Sequence, residues 1–141
     1  MTISQDYHLL LLRHAKSDWK AEKDIDFERP LTERGESDAG KVARWMKAHK
    51  LFPDRIVSSP AVRTRATTDI VTGVLHLPTD LIRWENDIYE ATLDKLLAVI
   101  SRHAKGSRCL LLIGHNPGLD NLVTYLASAE PHRTASGKLM T

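Results

Sequence analysis

Two histidines in this chain stand at the ends of apolar runs. Arg13-His14 follows Leu9-Leu10-Leu11-Leu12, and Gly114-His115 follows Leu110-Leu111-Leu112-Ile113. Short continuous apolar runs of this kind read as strands buried on both faces. Open α/β sheets bind ligands outside the carboxyl ends of their strands. Two imidazoles and the Arg13 guanidinium would then meet in one crevice. A neutral imidazole is a competent nucleophile toward phosphorus, forming a covalent intermediate that splits one displacement into two. The planar fork of an arginine can hold two oxygens of a tetrahedral anion. Each residue alone has a plainer explanation: His14 as the end of a strand, Arg13 as a solvated charge, His115 as a hydrogen-bonded turn residue. Only the combination points to phosphoryl chemistry.

Further candidates follow the same two ends of the chain's elements. Ser58-Ser59-Pro60-Ala61-Val62-Arg63 places Arg63 in the first turn of a helix after a strand. A cation there opposes the helix macrodipole, so an anion should compensate, and a bound phosphate would serve. Arg65, two residues on, points elsewhere and reads as a surface charge. Glu90, in Ile88-Tyr89-Glu90-Ala91, precedes a helix beginning near Thr92. It could protonate a leaving group and then accept a proton from water, although a carboxylate at a helix start is favoured by the macrodipole in any case. Histidines 8, 49, 76, 103 and 132 show no partner spacing and read as surface residues. Trp45 reads as helix packing, Trp84 as strand packing, and Trp19, in a polar stretch, as part of a pocket rim.

Several classes of function are disfavoured. A formal charge of +2 and sparse aromatics not interleaved with basic residues argue against nucleic acid as a partner. The chain has neither G-x-x-x-x-G-K nor G-x-G-x-x-G, so no nucleotide cradle is implied. A zinc site on His14 and His115 lacks cysteine or carboxylate ligands at recognisable spacing, and no metal or cofactor is expected. Cys109 is the only cysteine. It reads as a buried thiol, and an intrachain disulfide is impossible. No apolar stretch approaches the ~18 residues of a membrane span, and the first residues lack the basic and apolar regions of a signal peptide. The expectation is a cytoplasmic protein without a membrane partner, favoured as a monomer.

The elements that must position these residues alternate. Strands are expected at 7–12, 55–58, 81–84 and 108–113, the first and last central and the third at an edge. Helices are expected from Thr32 to about Lys50, from Ser59-Pro60, from Thr92, and from Asn116-Pro117, each opened by a capping residue or a proline at the first helical position. Between them, 15–31 is a charged stretch without periodicity, and loops of that length are often functional. The order β-α-β-α-β-α-β-α predicts a three-layer α/β sandwich: a mainly parallel central sheet with helices on both faces. At 141 residues this is most simply one domain, 1–141.

These stretches together resemble the histidine phosphatase superfamily, also called the phosphoglycerate mutase-like fold, and within it the small branch similar to the SixA phosphohistidine phosphatase. The resemblance rests on Leu12-Arg13-His14-Ala15-Lys16-Ser17, Arg29-Pro30-Leu31-Thr32 with Gly35, Ser58-Ser59-Pro60 with Arg63, Ile88-Tyr89-Glu90-Ala91, and Gly114-His115-Asn116-Pro117-Gly118. It implies that His14 is the phosphorylated nucleophile and that Arg13, Arg63 and His115 form the rest of the phosphate pocket. Glu90 would be the acid/base, and Ser17 would add a donor. The implied activity is metal-independent hydrolysis through a phosphohistidine intermediate. Its preferred substrate is phosphohistidine on a protein, such as a histidine phosphotransfer domain. A small phosphorylated metabolite, or a non-catalytic phosphate-binding role, is the alternative. Two departures stand out. Ala15 replaces the usual glycine, so the turn must tolerate a Cβ. Relatives also usually continue past a segment like Lys138-Leu139-Met140-Thr141 into another strand, so the domain is expected to be shortened at its C-terminus, with the lost strand at a sheet edge.

Overall fold

A computed structural model describes residues 7–18 and 25–129. In chain order the elements are β1 (His8–Arg13), α1 (Glu33–Ala48), β2 (Arg55–Ser58), α2 (Val62–Leu75), β3 (Ile82–Trp84), α3 (Leu93–Ala104), β4 (Cys109–Gly114) and α4 (Gly118–Ala129), with 3₁₀ turns at Asp26–Glu28, Thr79–Leu81 and Asn86–Ile88. The four strands pair in parallel in the order β1-β4-β2-β3. The alternation is as expected, and β3 lies at an edge. β1, however, was expected to be central and is instead the other outer strand of this sheet. Among the described residues β1 has one strand partner, β4, and its apolar run reflects burial on its faces, which hydropathy reports, and not the number of strand partners, which it does not.

The strands alternate with period two, so each feeds both faces. Leu11, Leu110 and Leu112 pack with Leu96 and Val99 of α3 and Leu119 and Leu122 of α4. Leu12, Leu111 and Ile113 pack on the other face with Ala43 and Met46 of α1 and Val71 and Leu75 of α2. These two apolar layers clamp the sheet and fix the positions of its strand ends.

Two helix starts follow the sequence. The hydroxyl of Thr32 accepts from the Gly35 N–H at 2.9 Å, and that of Thr92 from the Lys95 N–H at 3.3 Å. The expected Ser59-Pro60 start is displaced. α2 begins at Val62, with Ala61 at the N-cap and no side-chain cap; the Ser59 hydroxyl accepts from the Ala61 N–H at 3.3 Å and also faces His115. α4 likewise begins at Gly118 and not at Asn116-Pro117, with Asn116 Oδ1 accepting from the Asp120 N–H at 3.2 Å.

Some packing expectations need correction. Trp45 lies on the outer face of α1, where it stacks on His49 at 4.2 Å, and Trp84 is exposed beneath the Arg65 guanidinium at 4.4 Å. Cys109 is half-buried, its thiol pushed up to about 11 by burial and by Asp54. His8, His49 and His76 are exposed, whereas His103 is half-buried and bonded to Glu85 Oε1 at 2.6 Å. Trp19, His132 and the segment 130–141 lie outside the described residues. Among those described, no helix is long and apolar enough to cross a membrane.

Candidate active site

The register of two parallel strands places the histidines side by side. Arg13 pairs with Gly114, and the His14 N–H extends the ladder to the Gly114 carbonyl at 3.1 Å. Residues 14 and 115 therefore leave adjacent strands together, and their ring centroids are 5.3 Å apart. On the other side of β4, Ser58 pairs with Ile113, and the Ser59 N–H donates to the Ile113 carbonyl at 3.1 Å. That contact aims the start of α2, and with it Arg63, at the same point. Arg13, His14, Ser17, Arg63, Glu90 and His115 all line one cavity of about 910 Å³ at the carboxyl end of the sheet.

The bonds around His14 fix its tautomer. Nδ1 lies 2.6 Å from the Ala15 carbonyl, which can only accept, so Nδ1 carries the proton. The Arg63 Nε–H donates to Nε2 at 3.3 Å, so Nε2 carries a lone pair. Burial, aided by the guanidiniums of Arg63, Arg13 and Arg29, holds His14 down at about 4, with only the bond to Ala15 opposing. The imidazole is thus neutral near pH 7, with its free nitrogen turned toward Arg63. Ala15 fits its position without a positive φ. Its N–H donates to the Thr67 hydroxyl at 3.2 Å, and its methyl packs on Leu31 and Ala39.

His115 is buried, with Nε2 2.8 Å from the Ser59 hydroxyl. Burial, then Arg63 and His14, lowers it to about 3. Among the described residues, Nδ1 of His115 and Nε of Arg13 are buried polar atoms without a hydrogen-bond partner. A buried polar group left unpaired costs about 1–3 kcal/mol, so both favour a ligand that can reach them.

Arg63 does have the anion that its place in the first turn of α2 requires, and it is Asp26. Nη1 donates to the Asp26 carbonyl at 2.7 Å and Nη2 to Oδ2 at 2.9 Å. Asp26 Oδ1 also accepts from Arg29 Nη2 at 3.0 Å, and Oδ2 from the Tyr89 hydroxyl at 2.6 Å. The Tyr89 bond, followed by Arg63, holds the Asp26 carboxyl down at about 2, while burial and Asp26 push Tyr89 up to about 12. Arg29 is buried and donates to the Ser17 hydroxyl. Ser17 therefore reaches the cavity as the support of a third arginine. Tyr89 closes one wall, its ring edge-on to His115 at 5.4 Å. Glu90 is exposed, with a left-handed φ of 51°, and lies ahead of α3 rather than inside its first turn.

The sequence reading did not single out Asp26, Tyr89, Ser59 or Thr67. Asp26 had one visible signal, its i, i+3 spacing to Arg29. The partners of the other three are set by contacts between distant elements.

Comparisons with known proteins agree with this geometry. The sequence profile described as the histidine phosphatase superfamily (branch 1) matches residues 9–96. An uncharacterised chloroplastic protein of Arabidopsis thaliana is 33% identical over 129 residues, which cover 86% of this chain; the chain spans 59% of the length of that relative. The structure of a candidate phosphohistidine phosphatase SixA from Agrobacterium tumefaciens superposes with a TM-score of 0.75 at 30% identity, covering 91% of this chain and 85% of the other. The protein histidine phosphatase SixA in complex with tungstate gives 0.75 at 25% identity, covering 84% and 75%.

Proposed function

The chain belongs to the histidine phosphatase superfamily, and we propose that it is a phosphatase working through a phosphohistidine at His14. The observation that carries this reading is the protonation state of His14: its proton pinned on Nδ1 by Ala15, its lone pair on Nε2 beside a guanidinium. In the first step Nε2 attacks phosphorus, the P–N bond to His14 forms, and the bond to the leaving group breaks. Glu90, at the cavity wall, protonates the leaving group. In the second step Glu90 takes a proton from water, whose oxygen attacks phosphorus. The P–N bond breaks, phosphate departs, and the lone pair returns to Nε2. Arg13, Arg63, Arg29 and His115 surround the transferring group with donors, which stabilise charge on its oxygens without a metal ion.

The substrate we favour is phosphohistidine on a protein. The likeness to SixA structures supports it. His14→Ala should lower turnover at least about a thousandfold, as loss of a nucleophile does, and should abolish trapping of labelled phosphate on the protein. Persistent labelling in that variant would remove the mechanism. A panel of phosphohistidine protein, sugar phosphates and an aryl phosphate separates the protein substrate from small metabolites. Binding of vanadate with no turnover of any of them would favour a non-catalytic phosphate-binding protein.

A further inference from the structure

Asp26 lies among the guanidinium groups of the cavity, and the mechanism above gives it no part. Its carboxylate and its carbonyl take both Nη groups of Arg63, while Nε of the same side chain is on His14. Each nitrogen of Arg63 therefore already makes one hydrogen bond within the protein, and one further N–H remains on each Nη. Oδ1 holds Arg29 as well. With Tyr89 also donating, Asp26 stays ionised at any pH above about 2. A phosphoryl oxygen coming to the Nη groups of Arg63 meets nitrogens already shared with the carbonyl and carboxylate of Asp26, and must approach a second anion to reach them. Charges in such close proximity repel strongly when partly screened from water.

We propose that Asp26 is a specificity-determining residue: an internal anion that competes with the phosphoryl group for Arg63 and Arg29 and so holds down the affinity for bare phosphate. The inference rests on the phosphatase reading and goes beyond it. A substrate that binds through surfaces outside the cavity, as a phosphorylated protein does, tolerates this competition. Free phosphate has no such contacts and leaves.

The test is titration of inorganic phosphate and orthovanadate, followed by calorimetry at fixed ionic strength, into the wild type, Asp26→Asn and Asp26→Glu. Removing the charge should tighten binding at least about tenfold, and restoring it with glutamate should loosen binding again. Equal or weaker binding by Asp26→Asn would overturn the proposal, because it would make Asp26 a support that merely orients Arg63. Should the asparagine variant not fold, NMR on the wild type decides. The Asp26 carboxyl and the Arg63 side-chain N–H signals should move together as phosphate is added. Movement of the His14 signals alone would overturn the proposal. Failure of all three proteins to bind either anion, or wild-type binding with no gain in Asp26→Asn, would overturn this inference alone, whereas the phosphatase reading falls separately, by absence of turnover and of labelling at His14.

Discussion

At the scale of single residues, the burial of His14 among guanidinium groups decides whether the nucleophile exists. A protonated imidazole has no lone pair to offer, and its ordinary value of 6.5 would leave a fraction charged near neutrality. Burial and three guanidiniums move that value to about 4. In an NMR titration His14 should therefore remain the neutral Nδ1–H tautomer down to about pH 4, and kcat should lose its nucleophile only below that. A His14 midpoint near 6.5 would refute this account of the site. The two histidines were legible in the sequence because each ends an apolar run, so a strand had to deliver it. Arg63 was legible for a subtler reason, an uncompensated cation at a helix start; the compensating anion was not, because it sits in a loop. The Asp26 bonds to Arg63 span 37 residues and its bond to Tyr89 spans 63, and no local pattern reports contacts of that range.

At the scale of elements, the loop after β1 is held by the segment 30–32 that leads into α1. The Lys16 carbonyl accepts from the Thr32 N–H at 2.9 Å, the Asp18 N–H donates to the Pro30 carbonyl at 2.8 Å, and Ser17 bridges to Leu31. Gly35 lies against this loop so closely that an added Cβ would overlap the Lys16 carbonyl oxygen. Helix propensity alone would make Gly35→Ala stabilising by about 1 kcal/mol. The contact outweighs it, since overpacking against backbone costs about 1–3 kcal/mol, and the displaced segment carries His14 two residues away. Gly35→Ala should thus lower stability in urea denaturation and lower kcat as well, and a variant more stable than the wild type would show that the loop can yield. Helices opened by Thr32 and Thr92 were readable because each hydroxyl accepts from an N–H of its own first turn, Thr32 doing so while it also donates to the Lys16 carbonyl. Ser59 looked like an equal signal, but its hydroxyl accepts from Ala61, ahead of the helix, and is shared with His115, which follows another strand, and α2 starts at Val62.

At the scale of the molecule, the fold stores two neutral imidazoles next to arginines, and that arrangement has a cost that depends on pH. In the unfolded chain His14 and His115 titrate near 6.5; folded, they titrate at about 4 and about 3. As pH falls through 6.5 the unfolded chain binds protons that the folded one refuses, so stability declines. Each histidine contributes up to about 1.4 kcal/mol per pH unit to that decline. The carboxyls of Asp26, Asp54 and Glu85 are also lowered on folding. Their contribution is present above the ordinary carboxylate range and is lost only as pH falls through it. Urea denaturation should accordingly show two stages of acid loss, one beginning near pH 6.5 and a second below about 4.5. Replacing His14 with Gln should roughly halve the slope of the first stage, leaving the share of His115, and leave the second in place. Stability that stays level from pH 7 to 5 in the wild type would mean that the pocket admits the charged imidazolium after all. The lone pair on Nε2, on which the chemistry depends, would then lose the protection that burial gives it.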